Sequence, residues 1–383
     1  MVEEKIKLDL RKFNLDKIDF LKWFKTLAFL LLILLIFNIY QTFTLSSSLI
    51  KEIDKSIEEA RPADVEILII KPDKSCEGCV LIENKVEEFK KLNVKVVKEV
   101  TLKASEASDY ISKYDLKKLP AFLIEGEIEK LDFGKSFTKV SNGLVFSDIL
   151  PPFFSIKENR IVGKVSINII NPSNCDLCTG AQLVFENLIR AGIGIEEYKE
   201  LNEVGAKNLI QKYKITKLPA LIASSELSKY DGIKNAFKSV GSVENDGSYV
   251  LRNVDPPYKD LTTGQLKGLV NVRYIVDESC SSCYDVKTFG QILSRNLGIK
   301  IKNENNIDFK TTEGKKLIET YAIKKLPAII ISSDVKEYPG AFKVLEGVGS
   351  VENDGSYVFR NNEVLGNYKD LETGKVVELQ KKQ

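Results

Sequence analysis

Six cysteines occur in 383 residues, and all six fall in C-x-x-C pairs: Cys76/Cys79, Cys175/Cys178 and Cys280/Cys283. Thiols at this spacing can do three kinds of chemistry. One thiolate can attack a disulfide while the other resolves the mixed intermediate. Two pairs can together hold a zinc ion. Each pair can also close a small structural loop. No odd thiol is left over, so scattered core cysteines do not account for the pattern. The chain has no histidine, which removes Ser–His and Cys–His nucleophile pairs, histidine-containing zinc sites and imidazole bases. The zinc reading is further weakened by spacing. Ribbon sites place their pairs about 15–20 residues apart, whereas the first cysteines here are 99 and 105 residues apart. A structural role stays open, although closing so short a loop removes little chain entropy.

The elements around the pairs recur. Downstream of each lies a near-identical phrase: "YDLKKLPAFLI" from Tyr114, "YKITKLPALIA" from Tyr213 and "YAIKKLPAIII" from Tyr321. First cysteine to proline is 44 residues in two copies and 47 in the third. Copies two and three also share "VGSVENDGSYV" and continue to "YKDLxTG". The chain from residue 63 onward is thus three tandem copies of one unit. Within a unit an apolar β-branched run (65–70, 164–170, 269–276) reads as a strand buried on both faces. The cysteines follow, then an amphipathic stretch such as 80–92, a second strand (94–100), a short helix ending at the tyrosine, and a third strand after proline. Asn-Asp-Gly between β-formers predicts a hairpin with positive φ. The order is β-α-β-α-β-β with a possible final helix, an α/β layer sandwich. The phrase tyrosines read as packing residues. Glu244, Asp246, Glu352 and Asp354 read as turn residues rather than a calcium site, and "ILPPF" and "DPPY" as unit ends.

This order, with C-x-x-C between first strand and first helix, resembles thioredoxin. In that family a phrase of the form Y-x-I-x-x-I-P-T precedes the third strand with its proline bond in cis. Tyr114, Leu116, Leu119 and Pro120 take those places, as do Tyr213, Ile215, Leu218 and Pro219, and Tyr321, Ile323, Leu326 and Pro327. The resemblance implies that Cys76, Cys175 and Cys280 are nucleophiles at a helix amino terminus, where the dipole lowers thiol pKa. Cys79, Cys178 and Cys283, one turn in, would resolve the mixed disulfide. It further implies that the proline loop lies against the disulfide, and that the backbones of Leu119, Leu218 and Leu326 pair with the substrate chain. No cofactor or metal is implied. The chain departs from the family pattern in several ways: alanine (Ala121, Ala220, Ala328) follows each proline, and the intervening dipeptides are Glu-Gly, Asp-Leu and Ser-Ser. Ser75, Asn174 and Ser279 replace the tryptophan before the first cysteine. The buried acid expected six residues before it is replaced by Ile70, Ile169 and Tyr274. Acidic residues (Glu77, Asp176, Asp277, Glu278) stand close to the pairs, which disfavours a thiolate and predicts weakly oxidising disulfides.

Ahead of the repeats, no residue between Lys25 and Lys51 is charged. About 20 apolar residues span a hydrocarbon core of about 30 Å, so residues 26–46 read as a transmembrane helix. Seven lysines or arginines occur in the first 25 residues against three in residues 46–64, which predicts a cytoplasmic amino terminus and everything else outside. No small-x-small site follows the apolar run, which favours an uncleaved anchor over a signal peptide. The expected organisation is a cytoplasmic segment (1–25), the span (26–46), a stalk (47–62) and thioredoxin-like domains at 63–160, 161–266 and 267–383. The fold class is therefore α/β: three tandem thioredoxin-like sandwiches behind one transmembrane helix. The nearly balanced charge, 56 basic against 54 acidic residues, points away from nucleic acid. The expected partners are thiols or disulfides of exported proteins, with an electron donor the sequence does not identify. The expected activity is thiol–disulfide exchange at the cell membrane; the alternative is a non-enzymatic scaffold with permanently oxidised pairs.

Overall fold

The structure, a computed structural model, describes residues 20–379. These form two compact units. One comprises the residues up to Ile69 together with Glu83–Thr101 and Phe122–Phe146; the other comprises Ile70–Ile82, Leu102–Ala121 and everything from Ser147 onward.

The first unit begins with a single helix, Phe20–Ala60, of 41 residues. At about 1.5 Å per residue it is about 60 Å long, twice what a bilayer core requires. It is the one helix among the described residues long and apolar enough to cross a membrane. Span and stalk form one continuous helix, because no glycine or proline interrupts the chain before Pro62. Its hydroxyls fold back onto the helix instead, as where Thr42 donates to the Asn38 carbonyl at 2.7 Å and Ser47 to that of Thr44 at 2.9 Å. Pro62 then ends it. The last turn is tied to the sheet side of the unit. Arg61 forks onto Glu127 (2.8 and 2.5 Å), and Lys130 donates to Glu58 at 2.7 Å. Arg61, joined by the Asp64 N–H, holds the Glu127 carboxyl down at about 2. Around the sheet, the rings of Phe89, Phe122, Phe137 and Phe146 pack with centroids 5.0–6.2 Å apart.

Each sequence repeat contributes one five-stranded sheet of the same order. In the second repeat the strands Ile195–Asn202, Val165–Asn171, Ala220–Ala223, Tyr249–Leu251 and Gly241–Val243 lie side by side. The first pair is parallel and the others antiparallel. Val165–Asn171, an inner strand, has no exposed residue, which is why it reads as a continuous apolar run. One sheet face packs Ile167, Ile169, Phe185, Leu188 and Leu221. The other packs Ile170, Tyr213, Ile215, Leu218 and Val250. The third repeat reproduces both layers around Val270–Val276. The predicted hairpin is present: Gly247, at φ +82°, donates to the Glu244 carbonyl at 2.9 Å. Asp246 accepts from Tyr213 Oη at 3.0 Å and from the Ser248 N–H at 3.0 Å, so the acids of this phrase brace a turn and the tyrosine is core.

Among the described residues the possible final helix is not there. After the fifth strand the chain returns as a short hairpin that pairs with the residues just before the phrase proline. These three-stranded sheets are Lys118–Leu119 with Phe153–Ser155 and Arg160–Val162, Lys217–Leu218 with Tyr258–Asp260 and Leu266–Lys267, and Lys325–Leu326 with Tyr368–Asp370 and Val376–Val377. The "YKDLxTG" phrase makes the hairpin turn. Asp260 accepts from the Thr262 and Thr263 N–H groups at 2.8 and 3.2 Å, and Gly264 takes φ +74°.

The first two hairpins run on into the following repeat through a glycine, and that repeat clamps it. Gly163 donates to Glu226 and its carbonyl accepts from Tyr230 Oη (2.6 and 2.7 Å). Gly268 does the same with Asp334 and Tyr338 Oη (3.0 and 2.7 Å). Gly268 must be glycine: φ is +79°, and a Cβ there would lie 2.4 Å from Pro256 Cβ.

Candidate functional site

Each C-x-x-C pair is closed on itself as a disulfide, with Cα–Cα distances of 5.5, 5.4 and 5.5 Å. The cysteines sit in turns rather than inside a helix. Cys79, Cys178 and Cys283 donate their N–H to the carbonyls of Cys76, Cys175 and Cys280 at 3.2, 3.2 and 3.4 Å. The helices begin only at Ile82, Gly180 and Val286. The expected position of the second cysteine one turn into the helix is thus corrected, and because dipole effects fade within a turn, helix stabilisation of a thiolate is weaker than the resemblance implies. Five of the six cysteines are half-buried; Cys178 is buried.

The phrase prolines meet the other half of the expectation. Leu119–Pro120, Leu218–Pro219 and Leu326–Pro327 are all cis. In the third repeat the Cys283 sulfur lies 3.9 Å from the Leu326 carbonyl oxygen, so the disulfide and the peptide bond preceding proline are in contact. The same corner is braced by Tyr284, which donates its hydroxyl to the Pro327 carbonyl at 2.6 Å, and by Asn362, whose amide donates to that carbonyl at 2.6 Å.

The return hairpin completes the site in all three repeats. On one side it pairs with the residue before proline: Leu119 lies opposite Phe154, Leu218 opposite Lys259 and Leu326 opposite Lys369. The Leu371 N–H donates to the Lys324 carbonyl at 2.8 Å. By the alternation of an antiparallel ladder, this makes Leu326 and Lys369 a pair that exchanges both backbone bonds. On its other side the hairpin touches the cysteine turn. A Cβ on Gly78 would stand 3.7 Å from Pro152, one on Gly180 3.3 Å from the Asp255 carbonyl, and the Tyr284 N–H donates to the Asn367 carbonyl at 2.9 Å. "ILPPF" and "DPPY", read from sequence as unit ends, are the entry to this hairpin, and both Pro-Pro bonds are cis. The backbone edges of Leu119, Leu218 and Leu326 are therefore occupied by the chain itself.

Sequence reasoning missed one further group. Position 274, where the resemblance would place a buried acid, holds the buried Tyr274, but Asp277, three residues before Cys280, carries a side chain only 1% exposed. Lys369, 92 positions away, reaches it from the return hairpin at 2.5 Å, and the Ser279 N–H and hydroxyl donate to it at 3.0 and 2.5 Å. Burial pushes the Asp277 carboxyl up, but the hydrogen bonds from Lys369 and Ser279 outweigh it and hold the pKa at about 2. The Lys369 ammonium also stands 4.8 Å from the centre of the Phe309 ring. Asp277 is thus neutralised by a cation, and is not the free acid that the sequence reading set against a thiolate. The second repeat has Pro172 in its place, and the equivalent lysine, Lys259, pairs instead with Glu203 at 2.8 Å. The first repeat keeps an acid at the Asp277 position, Asp73, but that residue is exposed and accepts from the Ser105 N–H and hydroxyl at 3.1 and 2.7 Å, while Phe154 stands at the Lys369 position. The signals in the sequence were the recurrence of Lys in "YKD" in the two later copies and of an acid three residues before the first cysteine in copies one and three, Asp73 and Asp277.

Among the described residues, no group of three or more Cys, Asp or Glu is placed to hold a metal ion. No protein-family model matches the chain, and no curated protein matches it. Solved structures are similar to parts of it. The alkylhydroperoxide reductase protein AhpF from Enterococcus faecalis matches 44% of this chain and 85% of its own at 17% identity, with a TM-score of 0.16. Human ERp44 matches 80% of this chain and 94% of its own at 14% identity and TM-score 0.15. A protein disulfide oxidoreductase from Aeropyrum pernix matches 45% and 81% at 13% identity and TM-score 0.14.

Proposed function

We propose that the chain is a membrane-anchored thiol–disulfide exchange protein, with its amino terminus in the cytoplasm and its three repeats facing thiols or disulfides of exported proteins. The observation that carries this reading is the contact between a C-x-x-C disulfide and a cis X–Pro peptide, made by Cys283 and Leu326. In the reduced form, the first cysteine's thiolate attacks a client disulfide and forms a mixed disulfide, releasing one client thiolate. The second cysteine's thiolate then attacks the first cysteine's sulfur, closing the C-x-x-C disulfide and releasing the second client thiol. Two electrons pass to the client, and a separate dithiol donor restores the pair. Oxidation of a client dithiol is the same sequence in reverse.

A second reading has two observations in its favour. The edges beside the three prolines are already paired, and Cys178 is buried, as suits a binding scaffold whose disulfides stay closed. Mild dithiol treatment followed by alkylation across a pH series separates the two. The exchange reading expects at least one cysteine to react with an apparent pKa well below about 8.5; six unreactive or unperturbed cysteines would leave the scaffold. Labelling of the reduced cysteines in intact cells by a membrane-impermeant thiol reagent tests the orientation.

A further inference from the structure

We infer that the third site selects extended polypeptides carrying a lysine or arginine at the position opposite Leu326, because Asp277 and Phe309 form a cation pocket there that the chain's own Lys369 now fills. The inference rests on the exchange reading above and deepens it.

A client strand can pair with Leu326 only by taking the place of the return hairpin, since Lys369 exchanges the backbone bonds of that residue. Displacing the hairpin also removes the Lys369 ammonium from Asp277. That carboxylate is 99% hidden, and Ser279, its other partner, supplies only neutral donors. A buried carboxylate without its counter-ion is strongly unfavourable. The exchange is near balance only if the incoming strand brings a cation to the same place. Phe309 reinforces the choice, because its ring face, 4.8 Å from the ammonium, attracts a cation and offers nothing to a carboxylate. A neutral side chain leaves Asp277 unpaired, and an acidic one adds like-charge repulsion. The other two sites differ. Lys259 answers to Glu203, whose side chain is 21% exposed, and Phe154 makes no ionic demand. The hairpin at both of those sites is also clamped at Gly163 or Gly268 by the following repeat.

The test uses the full chain in detergent with Cys283→Ser, which leaves Cys280 as the single free thiol. Peptides containing one cysteine are activated as the mixed disulfide with nitrothiobenzoate. Cys280 thiolate attacks the peptide sulfur, the Cys280–peptide disulfide forms, and coloured nitrothiobenzoate leaves as the thiolate. One lysine is moved along the peptide relative to the cysteine, and each peptide is compared with its Gln and Glu counterparts. The expected result is one lysine position that reacts at least tenfold faster than Gln and faster still than Glu. The preference should grow when Lys369→Ala empties the pocket and disappear with Asp277→Asn. The Asp277→Asn/Lys369→Met variant, which loosens the hairpin without leaving a charge, should react readily and without preference. Equal rates for Lys, Gln and Glu at every position in the Lys369→Ala background would overturn the inference, provided Cys280 still reacts with a small aromatic disulfide. Failure to react with that small disulfide would instead count against the exchange reading itself.

Discussion

Replacing Lys369 with methionine keeps the stem of the side chain and removes the charge that neutralises Asp277. Two estimates bound the effect. The fold holds Asp277 from its ordinary 3.8 down to about 2; at about 1.4 kcal/mol per pH unit, the ionised form is favoured by about 2 kcal/mol. Removing one partner of a buried pair costs more, about 3–5 kcal/mol, because the remaining charge is left uncompensated. The sign with pH follows from the depressed carboxyl. Its stabilisation is complete above about pH 4 and is lost as pH falls toward about 2. In Lys369→Met the carboxylate is the unfavourable species, so acid relieves the defect by protonating it. The variant should therefore be worst near neutrality, and its deficit should shrink as pH falls through about 4 toward about 2. Hydrogen exchange at Leu371 and Tyr284 reads this locally, since those amides bond across the hairpin to Lys324 and Asn367. Their protection should fall on the order of 10²–10³-fold at neutral pH. Protection within twofold of wild type at pH 7, or an equal loss at pH 3, would refute the pair as the hairpin's anchor.

Two further outcomes follow from the clamps between repeats. Tyr338→Phe removes the hydroxyl that donates to the Gly268 carbonyl and accepts from the Lys300 N–H (2.7 and 3.0 Å), and should cost about 1–3 kcal/mol in urea denaturation; a loss below about 0.5 kcal/mol would mean that neither group needs it. Gly268→Ala should cost much more than Gly192→Ala. Both glycines take φ +79°, for which an L-residue pays about 1–2 kcal/mol, but only at Gly268 would the new Cβ meet Pro256, at 2.4 Å, with nothing near it at Gly192; equal losses in denaturation midpoint would show the contact yields freely.

What could be read from sequence was what repeats and what alternates. The inner strands stood out because both faces are covered, and the strand found at Val165–Asn171 differs from the expected run by one residue at each end. The phrase tyrosines, read as packing residues, are buried, and the Asn-Asp-Gly segments close hairpins with a glycine at positive φ. The return hairpin escaped because its strands are two or three residues long, too short for any period to show. Its stability comes from pairing with Leu119, Leu218 and Leu326, more than 30 positions away. Asp277 illustrates the same limit. A carboxylate in a sequence looks solvated by default, and only the arrival of Lys369 from 92 positions along the chain makes its burial possible.

The uninterrupted helix Phe20–Ala60 has a mechanical consequence. Its final turn is riveted by Arg61, Glu58, Glu127 and Lys130, and no hinge residue separates that turn from the apolar length below. A flexible stalk would let the first sheet swivel on its tether. This rod works as a crankshaft instead: tilt or twist imposed on the apolar end is passed to the first sheet through unbroken helix.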